Sequence, residues 1–565
     1  MLIQVPSLIH SQCLALPTIM GVSTRRPSRA LLGIILGWVV LAATITALRI
    51  DVHTPTFNGL AIRSIAARQD DGTGDIPIEE PGDVGVPSDG EDPAEPVGEA
   101  EPEIEYNPPP TEDPWYDAPE GWEDAEPGTV LKTRPEGLAD CPIAYCAGTY
   151  QFLYKSADTH NNDSWAVATI FYSNITAPGC DDPENMDDCV QAVVTYDVAY
   201  DSSSLDGSPS YLMQWGDPYG EMVDLLKRAY FVMLPDYEGP KAAYCSGPQA
   251  GRATLDAIRG IKNVGHEVGI KTDTAKYTIW GYSGGAFAAG LTAEMAEEYA
   301  PELEIAGAIV GGTAPNITSA FLKMNGQDTA GLVINGLIGI TAQWEEERAF
   351  MMDRLKKEGP YNATGFFRAT GFASFYVLYG YAGQDVYNYF ENGEEDILQG
   401  PIRQLFDTEG AMGIHGIPNM PTFIYKAEVD EMSGIEETDV MVDYFCENGA
   451  NILYHRNSLG DHNKELWAGR LRALDFISKV SFGVGEIEIP EKGCLIQNVT
   501  VDLPDWNEIE VGRALRGVAP AEPEESGAPG DADGGPVGEP VEEPVEQPVE
   551  EPRGGRKNCK GTKKI

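Results

Sequence analysis

Residues 276–292 read Lys-Tyr-Thr-Ile-Trp-Gly-Tyr-Ser-Gly-Gly-Ala-Phe-Ala-Ala-Gly-Leu-Thr, and the fold turns on them. Tyr277 to Tyr282 is an apolar, β-branched and aromatic run that predicts a buried strand. From Gly284 the chain reads as a helix with small residues at its start. Between the two lies the pentapeptide Gly281-Tyr282-Ser283-Gly284-Gly285, a G-x-S-x-G pattern. A strand that turns straight into a helix strains the serine backbone, and flanking glycines remove the side chains that would clash. Such a turn lifts the Ser283 hydroxyl to the edge of a sheet. The N–H of Gly284 and the helix N-terminus then aim at a developing oxyanion. The pentapeptide alone is weak evidence; the strand before it and the helix after it give it weight.

Working outward, the same rhythm repeats. Extended runs at 150–154, 166–172, 191–200, 230–234, 305–310, 422–429 and 452–455 alternate with helical periodicity at 250–263, 284–299, 439–447 and 463–480. Alternation of this kind predicts an α/β fold: a mostly parallel sheet with helices on both faces. Residues 313–420 break the rhythm with helix-leaning sequence rich in aromatics that look exposed, among them Phe366, Phe367, Phe375, Tyr376, Tyr379 and Tyr381. An insertion between two sheet strands is expected there, as a lid or acyl-binding cap, or as a packing subdomain without a gating role.

A serine hydroxyl is a poor nucleophile without a base. In a fold of this kind the acid and then the histidine follow the serine along the chain. Downstream histidines are His415, His455 and His462. His462 follows the last strand through the polar turn Asn457-Ser458-Leu459-Gly460-Asp461 and sits ahead of a helix, where a base can reach the elbow. His455 lies inside a strand and His415 ends the insertion. Asp430 closes the apolar strand that begins at Thr422 and is the candidate acid, to orient the imidazole and stabilise its charged form. Glu428, Glu431, Asp439 and Asp461 compete for that role.

The flanks differ from this body. The 565-residue chain carries 89 acidic and 39 basic side chains, a formal charge of −50 that repels nucleic acid. Between Gln69 and Leu131 there are 21 Asp and Glu and no Lys or Arg; between Val518 and Pro552 there are 11 acids and no base. Segments of this composition, rich in Pro and Gly, predict disordered spacers. The apolar stretch 30–48 follows Arg25, Arg26 and Arg29, which fits a signal peptide or a signal anchor. Small residues near its end favour cleavage and secretion, which leaves no stable membrane span. The expected organisation is a leader at 1–48, an acidic segment at 49–131, a catalytic domain at 132–500 and an acidic tail at 501–565. Sequons at Asn162, Asn174, Asn316, Asn362 and Asn498 fit a secreted glycoprotein. Nine cysteines show no metal-ligand spacing, so no metal is expected. Cys180 and Cys189 bracket an acidic turn and can close it; seven cysteines in the body leave at least one unpaired within it.

Several motifs in order resemble the fungal secretory lipase family: VVTYDVAYDSSS at Val193–Ser204, PDYEG at Pro235–Gly239, GYSGGA at Gly281–Ala286, Ala300-Pro301-Glu302-Leu303, VDE at Val429–Glu431, and NGANILYHRNSLGDH at Asn448–His462. The resemblance covers about residues 150–494. It implies an α/β-hydrolase fold with a helical lid, Ser283 as nucleophile, Asp430 as acid and His462 as base. It further implies an oxyanion hole from Gly284 and the side chain of Asp201, which must be protonated to donate. A disulfide between Cys446 and Cys494 is implied as well. A second family disulfide lacks its first cysteine, since Leu205-Asp206-Gly207 stands there. The expected activity is hydrolysis of acylglycerol esters at an oil–water interface without metal or organic cofactor. Alternatives are a short-chain carboxylesterase or acyltransferase, a prolyl-type peptidase, and a non-catalytic surface protein on a hydrolase scaffold.

Overall fold

A computed structural model describes residues 106–138, 141–177, 180, 189–216 and 220–501. The leader, the acidic residues 49–105 and the tail from residue 502 onward lie outside the described residues.

Ten strands form one mixed sheet in the order β1-β2-β3-β5-β4-β6-β7-β8-β9-β10. They are β1 Val130–Arg134, β2 Cys146–Ala157, β3 Asp163–Ser173, β4 Ala192–Asp197, β5 Phe231–Pro235, β6 Lys276–Tyr282, β7 Ile305–Gly311, β8 Thr422–Ala427, β9 Ile452–Asn457 and β10 Cys494–Val499. Pairing is antiparallel from β1 through β3 to β5, and parallel from β5 across to β10. Every residue of β4 and β8 is buried, as befits parallel strands covered on both faces.

The two faces are visible in alternate residues. Ile309, Phe423, Tyr425 and Leu453 join one core, while Val310, Ile424, Ile452 and Tyr454 join the other. The first core receives α1 (Gly247–Val264) and α9 (His462–Phe482), with Phe476 stacked on Phe423 at 5.6 Å. The second receives α8 (Ile435–Glu447) and the insertion. Helix α2 (Gly284–Tyr299) feeds both: Ala288 and Ala289 into one, Phe287 and Leu291 into the other.

The insertion lies between β7 and β8. Its helices include α3 (Ile317–Met324), α4 (Ala330–Ile340), α5 (Glu345–Arg354), α6 (Ser374–Tyr381) and α7 (Pro401–Thr408). It packs into the second core, which corrects part of the reading of its aromatics as exposed: Phe366 and Tyr381 are buried, whereas Tyr376 and Tyr379 are exposed. About a hundred residues contain enough apolar surface to bury some of it locally. All eleven residues of α4 are buried, and Gly331 and Gly339 are its close contacts. A Cβ on Gly331 would meet the backbone of Val377, and one on Gly339 the backbone of Tyr244.

A second correction concerns the boundary at residue 131. Residues 106–131 are ordered against the body. Tyr116 is buried and its hydroxyl lies 2.9 Å from Ser210 Oγ. Asp113 pairs with Arg134 at 2.5 Å, and Arg134 also covers the Trp115 ring at 4.3 Å. Trp122 packs edge-on against Trp165 at 5.0 Å. Three aromatic anchors outweigh the acidic, proline-rich composition that predicted a spacer.

Candidate active site

Ser283 sits between β6 and α2 with φ 57° and ψ −123°, a conformation a non-glycine residue holds only when its surroundings fix it. Its N–H donates to Gly311 O at 2.9 Å, and its carbonyl accepts from Phe287 N at 3.1 Å. The glycines that follow are required by close approach. A Cβ on Gly285 would collide with the Asp197 carbonyl, and one on Gly284 with the Asp201 carboxyl.

The structure brings Ser283, His462 and Asp430 together. His462 Nε2 lies 2.9 Å from Ser283 Oγ, and His462 Nδ1 lies 2.8 Å from Asp430 Oδ2. His462 is the first residue of α9, with Asp461 as its N-cap accepting from Lys464 N at 2.9 Å. Two further contacts fix the base by its main chain: Glu431 accepts from His462 N at 2.9 Å, and the Tyr282 hydroxyl donates to His462 O at 2.6 Å. Asp430 stands three residues past β8 rather than at its end. Its Oδ1 accepts from Met432 N at 2.9 Å and Ser433 N at 3.0 Å. Burial would raise the pKa of this carboxyl, but His462, Lys426 and the Ser433 N–H together hold it well below the usual carboxylate range.

Asp201 lies on the loop after β4 with φ 43°, and its carboxyl packs against Gly284. Asn335 of α4 donates to its carbonyl at 2.9 Å. Its Oδ1 is buried without a hydrogen-bond partner. Burial pushes its pKa up to about 7, partly offset by His462. Asp201 and Gly284 face Ser283 and His462 across one small cavity. Besides Ser433, its other walls are mostly apolar: Tyr244, Phe287, Ile317, Met324, Leu332 and Met432. The free space is about 30 Å³, room for a water or two and too little for an acyl chain.

The competing residues are engaged elsewhere. His455 packs against the Phe423 ring with its Nδ1 3.2 Å from Arg472, and its pKa is lowered to about 4 by burial and then by Arg472. His415 lies 2.9 Å from Thr408 O. Asp439 accepts from the Tyr454 hydroxyl, and Glu428 pairs with Arg456. Sequence reasoning missed Lys426 and the backbone role of Glu431; a lysine inside the apolar strand Thr422-Phe423-Ile424-Tyr425-Lys426-Ala427 was the available signal.

Cys446 and Cys494 form a disulfide that joins α8 to the edge strand β10. Cys141–Cys146 and Cys180–Cys189 are also bonded, and Cys245 is free and buried. Asn162, Asn174, Asn316 and Asn498 are exposed. Asn362 is partly buried and caps a short helix through Gly365 N. Among the described residues, no helix is long and apolar enough to cross a membrane, and no group of three His, Cys, Asp or Glu is arranged to hold a metal.

The secretory lipase family model matches residues 219–483. Trichothecene C-3 esterase of Fusarium sporotrichioides is 40% identical over 399 residues, 69% of this chain and 88% of its own. Lipase A of Arthroderma benhamiae is 32% identical, covering 71% and 85%. Among solved structures, Candida antarctica lipase A in its closed state superposes with a TM-score of 0.60 at 26% identity, covering 73% of this chain and 95% of that one. With a relative at this identity spanning most of its own length, and an elbow serine on a mostly parallel sheet, the chain belongs to the secretory lipase family and is a carboxylic ester hydrolase of the α/β-hydrolase fold.

Proposed function

We propose that this chain is a secreted serine esterase acting through a Ser283–His462–Asp430 triad and an acyl-enzyme intermediate. The observation that carries the reading is the unbroken relay from Ser283 Oγ through His462 to Asp430 Oδ2, opening on a cavity that Gly284 and Asp201 share. Ser283 Oγ attacks the ester carbonyl while His462 Nε2 takes its proton. The oxyanion is received by the Gly284 N–H and the protonated Asp201 carboxyl. His462 returns the proton to the departing alcohol, then deprotonates the water that releases the acid. Asp430 stays ionised and balances the imidazolium.

Residues 313–420 act as a lid. Ile317 and Met324 of α3 and Leu332 of α4 wall a cavity too small for a fatty acyl chain, so α3 and α4 must shift for substrate to enter. Acylglycerols are the first substrate class, supported by the apolar walls and the lipase relatives. A second reading, an ester of a bulky trichothecene-type alcohol, is favoured by the 40% identical relative of that name. Initial rates on esters of rising chain length, with and without an oil–water interface, beside a trichothecene C-3 ester, decide between them. A rate that rises with chain length at the interface supports the lipase reading. Turnover of the trichothecene ester with no interfacial gain supports the second. No hydrolysis of any ester would overturn both.

A further inference from the structure

Behind the acid lies a buried cation that the hydrolytic steps above do not use. Lys426 is the fifth residue of β8, and none of its side chain is exposed. An ammonium in such a place is costly unless every N–H is met. Here two hydrogen bonds and one ion pair meet it. Lys426 Nζ lies 2.5 Å from Thr313 O, 2.6 Å from Ser433 Oγ and 3.4 Å from Asp430 Oδ2.

These partners belong to three pieces of the site. Thr313 is the residue with which the chain leaves β7 and enters the insertion. Ser433 lines the cavity, donates its N–H to Asp430 Oδ1, and donates its hydroxyl to Thr313 O at 3.1 Å. Asp430 Oδ2 is shared between His462 Nδ1 on one side and Lys426 on the other.

We propose that Lys426 is a positioning residue for ester hydrolysis: it holds the Asp430 carboxylate against His462 and ties the acid's loop to the root of the insertion at Thr313. This rests on the triad reading. A cation behind the acid also sets the proton affinity of the His462–Asp430 pair. Groups facing that pair are Asp201 at the imidazole, Glu431 at the His462 N–H, Tyr282 against the ring, and Glu465 one turn along α9. Facing Lys426 are Asp430, Glu437 and Lys323. Removing the ammonium takes a positive charge from beside the pair, so the pair binds its proton more tightly.

The test is Lys426→Met in the full-length protein, read by kcat and KM on a soluble short-chain ester across pH. The expected result is a kcat lower by about 10–100-fold with KM within about 2-fold of wild type. The acid limb of kcat/KM should also move upward by about one pH unit. Wild-type kcat with an unmoved acid limb, and only a lower melting temperature, would overturn the proposal. Should Lys426→Met fail to fold, Lys426→Met/Asp430→Asn removes both charges together and leaves neither unpaired. If Lys426 acts through Asp430, this double variant matches Asp430→Asn in kcat within about 2-fold. A further fall of 10-fold or more below Asp430→Asn would contradict it. Ser283→Ala abolishes activity whichever way Lys426 acts, so failure of the triad reading is told apart from failure of this one.

Discussion

At the scale of single residues, the proposed oxyanion site depends on a proton. The Asp201 carboxyl packs on Gly284, has an unpartnered buried oxygen, and carries a pKa pushed to about 7 by burial. It donates a hydrogen bond only while protonated, below that pKa, and loses the ability as pH rises through it. Wild-type kcat/KM is therefore expected to decline above about pH 7. In Asp201→Asn the amide donates at every pH, so the alkaline decline should be absent, with activity near pH 6 lower by about 10-fold. A pH profile with the same alkaline limb in both proteins would remove Asp201 from the mechanism. Asp201 was not legible from residue type or periodicity and came only through resemblance, because a strand-end aspartate reads as an ordinary turn residue. Ser283 and His462 were legible because strand, tight turn and helix follow one another in the sequence around each.

Secondary-structure elements set how much of the substrate site is open. Leu332 of α4 lines the same cavity as Ser283, and Asn335 of the same helix holds the Asp201 carbonyl. Gly331 and Gly339 let α4 press against the backbones of Val377 and Tyr244. Leu332→Ala should enlarge the cavity and raise kcat/KM on long-chain relative to short-chain esters several-fold, while costing about 2–5 kcal/mol of stability. A chain-length series together with a denaturant midpoint checks both parts; an unchanged series would mean that α4 does not bound the acyl path. The place of the insertion was readable as a break in the strand–helix alternation. Its internal packing was not, since composition does not say whether Phe366 meets solvent or Phe390, and the structure puts those rings 5.7 Å apart. Strand β1 was hidden for the opposite reason: the acidic charge next to it masked Trp115, Tyr116 and Trp122, which dock the segment.

For the whole molecule, buried acids govern how stability responds to pH. Burial pushes Asp201, Asp236 and Glu294 up to about 7 and Asp256 up to about 6. Each contributes stability that is full below its unfolded value near 4 and is lost as pH rises through its folded value. Asp430 is shifted the other way, so its contribution is present above about 4 and lost as pH falls below it. The formal charge of −50 adds self-repulsion as carboxyls ionise. The melting temperature is expected to peak at about pH 4 and to fall steadily toward pH 8. Differential scanning calorimetry across that range checks it, and a maximum at pH 8 would contradict the burial argument.

The claim beneath all of this is that His462 activates Ser283 as a nucleophile, and the most direct measurement is active-site labelling. Wild-type protein treated with a fluorophosphonate and digested should carry one phosphonyl adduct, on the peptide containing Ser283. Ser283→Ala should carry none, and His462→Ala should label at least about 100-fold more slowly. An unlabelled wild type, or an adduct that persists in Ser283→Ala, would contradict the account.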